Sequence, residues 1–504
     1  MRALRRSDGI LLALLVIVLA GDGPNGPFRV SPLYGPISTV WPAVNHWNDR
    51  LEREFGDFVA AIGAAVAARR CSRLEQCLAD PSVNITYERA VDAHLHLDPD
   101  CADLPYLLRA YFSFKRRLPF GFVSQLAGGG LLDPRYAVGQ RSSHWSDWRE
   151  FSSPRSLFHG LTGTVHSGMY RIAASDEGSD FYPVRIDRVS VRAGTIFYDP
   201  NGHVALVSEV RSDGAVYFVD GHPDGSLTSK RFGEAFILGS PRAGGGFKNF
   251  RPIALDRGEL RWAPNASLAD LDGTQQYDPS NYRVEGAPVT FQRWIRAALA
   301  DTGASIDPAT EVREQVRALC EDVRDRALAV DAAISAGLPL RAHPDRLPAN
   351  IYGTVGEWEQ FSTPSRDARL KAAFRELHDY VAGLPDLASR RSELCAAWQS
   401  EVASAACQFT YRDSAHGVRA FSLDTVLDRL FALSFDPYHC PELRWGAADG
   451  SAERAACPDD AVKLRWYRDE ARLRNRIDRE YGVPTPLEFG PLTSPDVDVR
   501  TVLR

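Results

Sequence analysis

Two periods run through the chain and change places near its middle. Between residues 45 and 70 apolar side chains recur at three- and four-residue steps (Trp47, Leu51, Phe55, Phe58, Val59, Ile62), which predicts an amphipathic helix. A shorter stripe of Leu104, Leu107, Leu108, Tyr111 and Phe112 has the spacing of a helix buried on one side. Asp100 or Asp103 can cap it. Pro105 favours Asp103, because the missing N–H of proline then falls in the first turn. From 183 to 220 the period is two, with strands over 183–189 and 194–198. An Asp199-Pro200-Asn201-Gly202 turn follows, then a long hairpin that reverses at Ser212-Asp213-Gly214. A two-residue reversal at Asp213-Gly214 places His203, Asp220 and His222 on one face of the sheet. Residues 120–180 lack a clear period and read as a long loop insertion, with room for short helices, lying over one side of the candidate site. Residues 242–250 read as a glycine-rich flexible loop, and 251–253 as a last edge strand.

Beyond residue 288 the strand period disappears. Helical stripes cover 290–299, 308–336, 365–382, 387–407, 423–433 and 461–481, with Pro308 and Pro364 placed as helix starts. No internal repeat is visible. The expected organisation is a helical and loop region over 21–94, an α+β domain over 95–255, a polar linker over 256–287, and an all-α domain over 288–504.

Composition narrows the function classes. A chain of 504 residues with 44% hydrophobic and 25% charged residues is an ordinary globular protein of roughly two to four domains. A net charge of −6 argues against nucleic acid or an anionic membrane as partner. Residues 1–20 carry Arg2, Arg5 and Arg6 ahead of a short apolar run that ends at Ala20-Gly21. This is the pattern of an export signal cleaved near Ala20, with an uncleaved anchor as the alternative. The expected location is periplasmic or secreted, with no other membrane segment. In such a compartment the eight cysteines suggest disulfides. Cys71 with Cys77 and Cys440 with Cys457 are expected as local loops, and one more bridge can come from Cys320, Cys395 and Cys407.

The chemistry centres on Cys101 and His203. A helix N-terminus favours a thiolate, an imidazole can take and return the proton, and a third polar group can orient that imidazole. Cys101, His203 and either Asp220 or His222 are the candidates, and the Cys101 N–H is a candidate oxyanion donor. Asp100-Cys101-Ala102 opening a helix is similar to the nucleophile motif of the NlpC-type, papain-like cell-wall cysteine peptidases. Residues 192–198 look like that family's strand segment, and Gly202-His203-Val204-Ala205-Leu206-Val207 looks like its histidine strand. The resemblance covers about residues 95–235 and implies a papain-like α+β fold, with the cysteine helix packed on a small antiparallel sheet. It also implies hydrolysis of amide bonds in peptidoglycan-like peptides without metal or organic cofactor. By carry-over Cys101 matches the nucleophile, His203 the base, and Asp220 or His222 the third residue. Ala102-Asp103 stands where the family has Ser-Gly.

Two other classes compete. The same fold can serve as a catalytically inactive envelope-binding module, with the helical region docking a partner. Alternatively, His94 and His96 form an HxH pair of the kind that opens metal-dependent amidohydrolase barrels, a reading that requires eight βα units. The Gly244–Gly246 run lacks the lysine of a phosphate loop, and Asn84 and Asn265 begin glycosylation sequons.

Overall fold

The computed structural model describes residues 40–130, 133–272, 275–352, 356–477, 494–497, 499 and 503. The predicted export signal lies outside them. No described helix is long and apolar enough to cross a membrane.

The first predicted helix is α1 (Asp49–Ala67), capped by Asn48, whose Oδ1 accepts the N–H of Arg50 and of Leu51 at 3.1 Å. The second is α2 (Asp103–Arg116). Its cap is Asp100 rather than Asp103: Asp100 Oδ1 accepts from Ala102 N at 2.8 Å and Asp103 N at 2.9 Å. Pro105 still falls in the first turn, and Cys101 stands just ahead of the helix. The segment after α2 is not the expected loop. It contains a hairpin of β1 (Gly121–Ala127) and β2 (Arg141–Asp147), then helix α3 (Pro154–Thr164). Register shifts between Val123 and Leu126 break the alternation that would have revealed the hairpin.

The scaffold is a six-stranded antiparallel sheet. Its strands are β3 (Phe181–Pro183), β4 (Ile196–Asp199), β5 (His203–Val210), β6 (Val216–Gly221), β7 (Leu227–Arg231) and β8 (Gly246–Phe250), in the order β3-β8-β4-β5-β6-β7. Strand β8 overturns the flexible-loop expectation, because Gly246 begins an interior strand between β3 and β4. The edge strand expected at 251–253 is replaced by a separate hairpin, Ile253–Asp256 with Glu259–Trp262.

The β5–β6 register departs from the two-residue turn in two places, and the departures cancel. The reversal spans three residues, 212–214, closed by Arg211 N donating to Ala215 O at 2.9 Å. A bulge at Ser208 then shifts the pairing once more, from Val210↔Val216 to Leu206↔Val219. One slip would turn every side chain over; two restore the face. His203, Asp220 and His222 therefore share a face, as the alternation requires. The bulge is held by α1, where a Cβ on Gly63 would stand 2.2 Å from Ser208 Cβ.

Both faces of the sheet are covered. Val204, Leu206, Val219, Ile196 and Tyr198 pack against α1 and α2, while Phe197, Ala205, Val207, Phe218 and Phe247 pack on the other side. That second side takes Ile295 and Leu299 from α4 (Phe291–Leu299), so the expected boundary at 288 cuts through a core. The 256–287 stretch is not a free linker either. Gln276 is fully buried, and its side-chain amide pairs with Phe247 N at 2.9 Å and Phe247 O at 3.2 Å.

The rest is mainly helical: α5 (Pro308–Ser335), α6 (Pro364–Ala382) and α7 (Leu387–Val402), with shorter helices beyond. It is not all-α, because Gln408–Arg412 and Val418–Ser422 form a hairpin. Its alternation, with Phe409 and Tyr411 inward, is short and follows α7 closely enough to be read as helix. The α+β class holds for the chain. Disulfides join Cys71–Cys77, Cys320–Cys407 and Cys440–Cys457, leaving Cys101 and Cys395 as free thiols.

Gly214 sits at φ +79°, and a Cβ there would lie 1.9 Å from Arg296 O. Gly214→Ala is expected to destabilise by at least about 2 kcal/mol, read from the denaturant midpoint.

Candidate active site

Asp220 is fully buried and its carboxylate can only accept hydrogen bonds. His203 Nε2 lies 2.8 Å from Asp220 Oδ2, so that nitrogen carries the proton. The Thr228 hydroxyl donates to Asp220 Oδ1, and its oxygen lies 2.9 Å from His222 Nε2. Since the one hydroxyl hydrogen is used, His222 Nε2 must donate to Thr228. A directed chain results, from His222 through Thr228 to Asp220, with His203 donating from the other side. Asp220 therefore touches His203, whereas His222 acts at one remove. In its neutral form His203 keeps a lone pair on Nδ1, the tautomer a general base needs.

Burial pushes the Asp220 carboxyl up, but His222, the His203 hydrogen bond and Lys230 outweigh it and hold the group well below the carboxylate range. Burial lowers the His222 pKa and Asp220 opposes this, while Arg366 and Lys230 add to the lowering. Lys230 belongs to an ion pair with Asp322 at 2.8 Å, which ties β7 to α5.

Cys101 reaches this site through the backbone on either side of His203. Its thiol lies 3.8 Å from Gly202 O and receives the Val204 N–H. Asp100 wedges against β6, where a Cβ on Gly221 would lie 2.7 Å from Asp100 O. Cys101, His203 and His222 line one pocket between the sheet and the helical half. The thiol is not pre-ionised. Burial pushes it up strongly, Asp100, Asp220 and Asp103 add to the rise, and only the Val204 N–H works against them. Asp100 also occupies the N–H groups of Ala102 and Asp103, so the expected effect of the helix start on the thiol is overridden.

The pocket holds residues the sequence did not single out. His166 lines it, accepting the Gly168 N–H on Nδ1 at 3.2 Å, and burial lowers its pKa. Arg135 pairs with Glu359 at 3.0 Å across the mouth, and Arg366 and Arg369 come from α6. Thr228 was missed because 224–231 is too polar to read as a strand. Its signal is positional, as it stands directly across from Asp220 in the β6–β7 pair. His94 and His96 are exposed ahead of α2, and the antiparallel sheet excludes the barrel that a metal amidohydrolase reading needs.

Comparison with protein-family models, curated proteins and solved structures finds no match for this chain.

Asp103 provides a check on the electrostatics. Burial, then Asp100, raises its pKa from 3.8 to about 8. The folded state thus holds a proton that the unfolded state releases above about pH 4, so Asp103 makes stability fall as pH rises to about 8. Asp103→Asn is expected to flatten this slope, gaining on the order of a few kcal/mol relative to wild type at pH 8 over pH 5 in denaturant unfolding.

Proposed function

We propose that the chain is an exported cysteine amidase or peptidase acting on cell-envelope peptides, with Cys101 as nucleophile and His203 as general base. The observation that carries this reading is the directed hydrogen-bond chain ending on His203, set against a free thiol seated on the backbone of the neighbouring residues. The packing of the Cys101 helix on an antiparallel sheet, and the resemblance of the segments around Cys101 and His203 to NlpC-type motifs, support the substrate class. Three disulfides support an oxidising compartment and hence export.

Because the resting thiol is protonated, attack is coupled to proton transfer. Cys101 Sγ bonds to the amide carbonyl carbon as His203 Nδ1 takes the thiol proton. The imidazolium is stabilised by Asp220, and the Cys101 N–H faces the developing oxyanion. The tetrahedral intermediate then breaks its C–N bond, with the proton passing from His203 to the leaving amine. Water adds to the thioester with His203 again as base, releasing the carboxylate product and restoring the thiol.

Hydrolysis of peptidoglycan stem peptides, followed by mass spectrometry of released amines, tests the reading. Cys101→Ala and His203→Ala are each expected to lower kcat/KM by at least about a thousandfold. Asp220→Asn is expected to cost roughly ten- to a hundredfold, largely in kcat, with a shifted pH profile. Iodoacetamide labelling of Cys101 is expected to be slow at neutral pH. Cleavage that survives Cys101→Ala would sink the assignment.

The carboxylates around Cys101 favour a second reading, a non-catalytic envelope-binding module on the same scaffold. Equal binding of wall peptides by wild type and Cys101→Ala, without any amine release, would select it.

A further inference from the structure

A second buried constellation lies in the helical half. His343 follows α5, Asp436 and His439 sit in the 435–440 turn, and Glu470 joins the helices Ala461–Asp469 and Ala471–Arg474. The side chains of His343, Asp436, His439 and Glu470 are closed to solvent. One ligand atom from each of His343, Asp436 and Glu470 lies within 4.8 Å of the others.

The hydrogen bonds dictate where the lone pairs point. His343 Nδ1 lies 2.6 Å from Pro344 O, a carbonyl that can only accept, so Nδ1 carries the proton. In the neutral ring Nε2 is then a bare acceptor, yet it faces Asp436 Oδ2 at 2.7 Å. No N–H or hydroxyl donor reaches either buried oxygen of Glu470, whose neighbour is the carboxyl of Asp436. The nearest cation, Arg474 Nη1, is 3.5 Å from Oε2 and likewise makes no hydrogen bond. His439 is oriented in the same manner. Its Nε2 donates to Lys463 O at 3.1 Å, and its Nδ1 accepts the Ser434 hydroxyl at 2.7 Å, 3.8 Å from Glu470 Oε2. His343 Nε2, Asp436 Oδ2 and a Glu470 oxygen thus converge as three acceptor atoms, an arrangement that a cation placed among them would satisfy.

We propose that His343, Asp436 and Glu470 bind a divalent transition-metal ion of the zinc type, with His439 Nδ1 able to take the fourth position only if it releases the Ser434 hydroxyl. A ring N–H anchored on a backbone carbonyl, with the opposite nitrogen aimed inward, is the outer support a metal-bound histidine requires. Imidazole together with carboxylates suits zinc, manganese or iron(II) better than magnesium or calcium. Ligand atoms of a tetrahedral ion sit roughly 3.3 Å apart, so binding opens the His343–Asp436 contact slightly and draws Glu470 inward.

The burial marks the role as structural. His343 stacks on Trp466 with ring centres 4.8 Å apart, and Ile351, Trp358, Phe435 and Leu473 form the adjoining apolar cluster. The ion would clamp the loop after α5 onto the C-terminal helices, and that loop carries Ile351 and Tyr352 into the wall of the Cys101 pocket. The nearby Cys440, Glu442 and Cys457 group offers no thiolates, because its cysteines are disulfide-bonded.

The test is metal analysis of the full chain purified without added metal, followed by thermal unfolding with a strong chelator and after return of zinc. One ion per chain, a fall in Tm on chelation and recovery with zinc are expected. His343→Ala and the conservative Glu470→Gln are expected to weaken zinc affinity at least about tenfold, while Cys101→Ala keeps the ion. Because the wild-type measurements stand alone, a variant that fails to fold does not decide the question. No retained metal and no Tm response to zinc, manganese or iron(II) would overturn the site in favour of a proton shared between His343 and Asp436. Metal retained equally by both folded variants would place it elsewhere and also overturn the proposal.

Discussion

A carboxylate sealed from water is tolerated only when its charge is met on every side, and Asp220 is the group around which this protein meets that demand. Its two oxygens take His203 and Thr228, and Lys230 supplies a positive charge from the next strand. Each partner comes from β5 or β7, so the carboxylate can be satisfied only if three strands hold the correct register. The doubly shifted β5–β6 pairing delivers it. The same demand sets the tautomer of His203, so that a packing requirement becomes a chemical orientation.

The helical half is bound to the sheet by charge as well as by apolar contact. Lys230 pairs with Asp322 at 2.8 Å, Arg231 with Glu311 at 2.5 Å and Arg211 with Glu314 at 2.6 Å, all reaching from β7 or the end of the β5–β6 hairpin to α5. The Arg231–Glu311 pair is buried, and such a pair adds little over a well-packed apolar contact, but losing one partner strands a charge. The three pairs therefore specify how the two halves meet. The Cys101 pocket lies at that seam, with α6 arginines facing α2 and β5. The helical part is thus a wall of the site rather than an appendage.

The environment of Cys101 shows where local reasoning stops. Helix position alone argues for a reactive thiolate, because peptide dipoles favour negative charge. The folded chain instead surrounds the thiol with Asp100, Asp103 and Asp220 and partly buries it, and these effects win. Any chemistry at Cys101 has to draw on the base beside it.

Periodicity by itself determined α1, α2, the His203 strand and the long helices after 288. In α1 and the long helices one face is buried and the apolar spacing records it, whereas α2 and β5 are buried on both sides. Alternation also placed Asp220 and His222 on one face, while His203 joins them because the two register departures of the β5–β6 pair cancel. Tertiary structure alone decided what those residues do. Thr228 joins the network because β7 pairs with β6, and Gly246 is interior because β3 and β4 flank it. His343, Asp436 and Glu470 meet from separate segments of the helical half. Such contacts leave no period in the chain, because the partner that satisfies each group lies on another strand or segment.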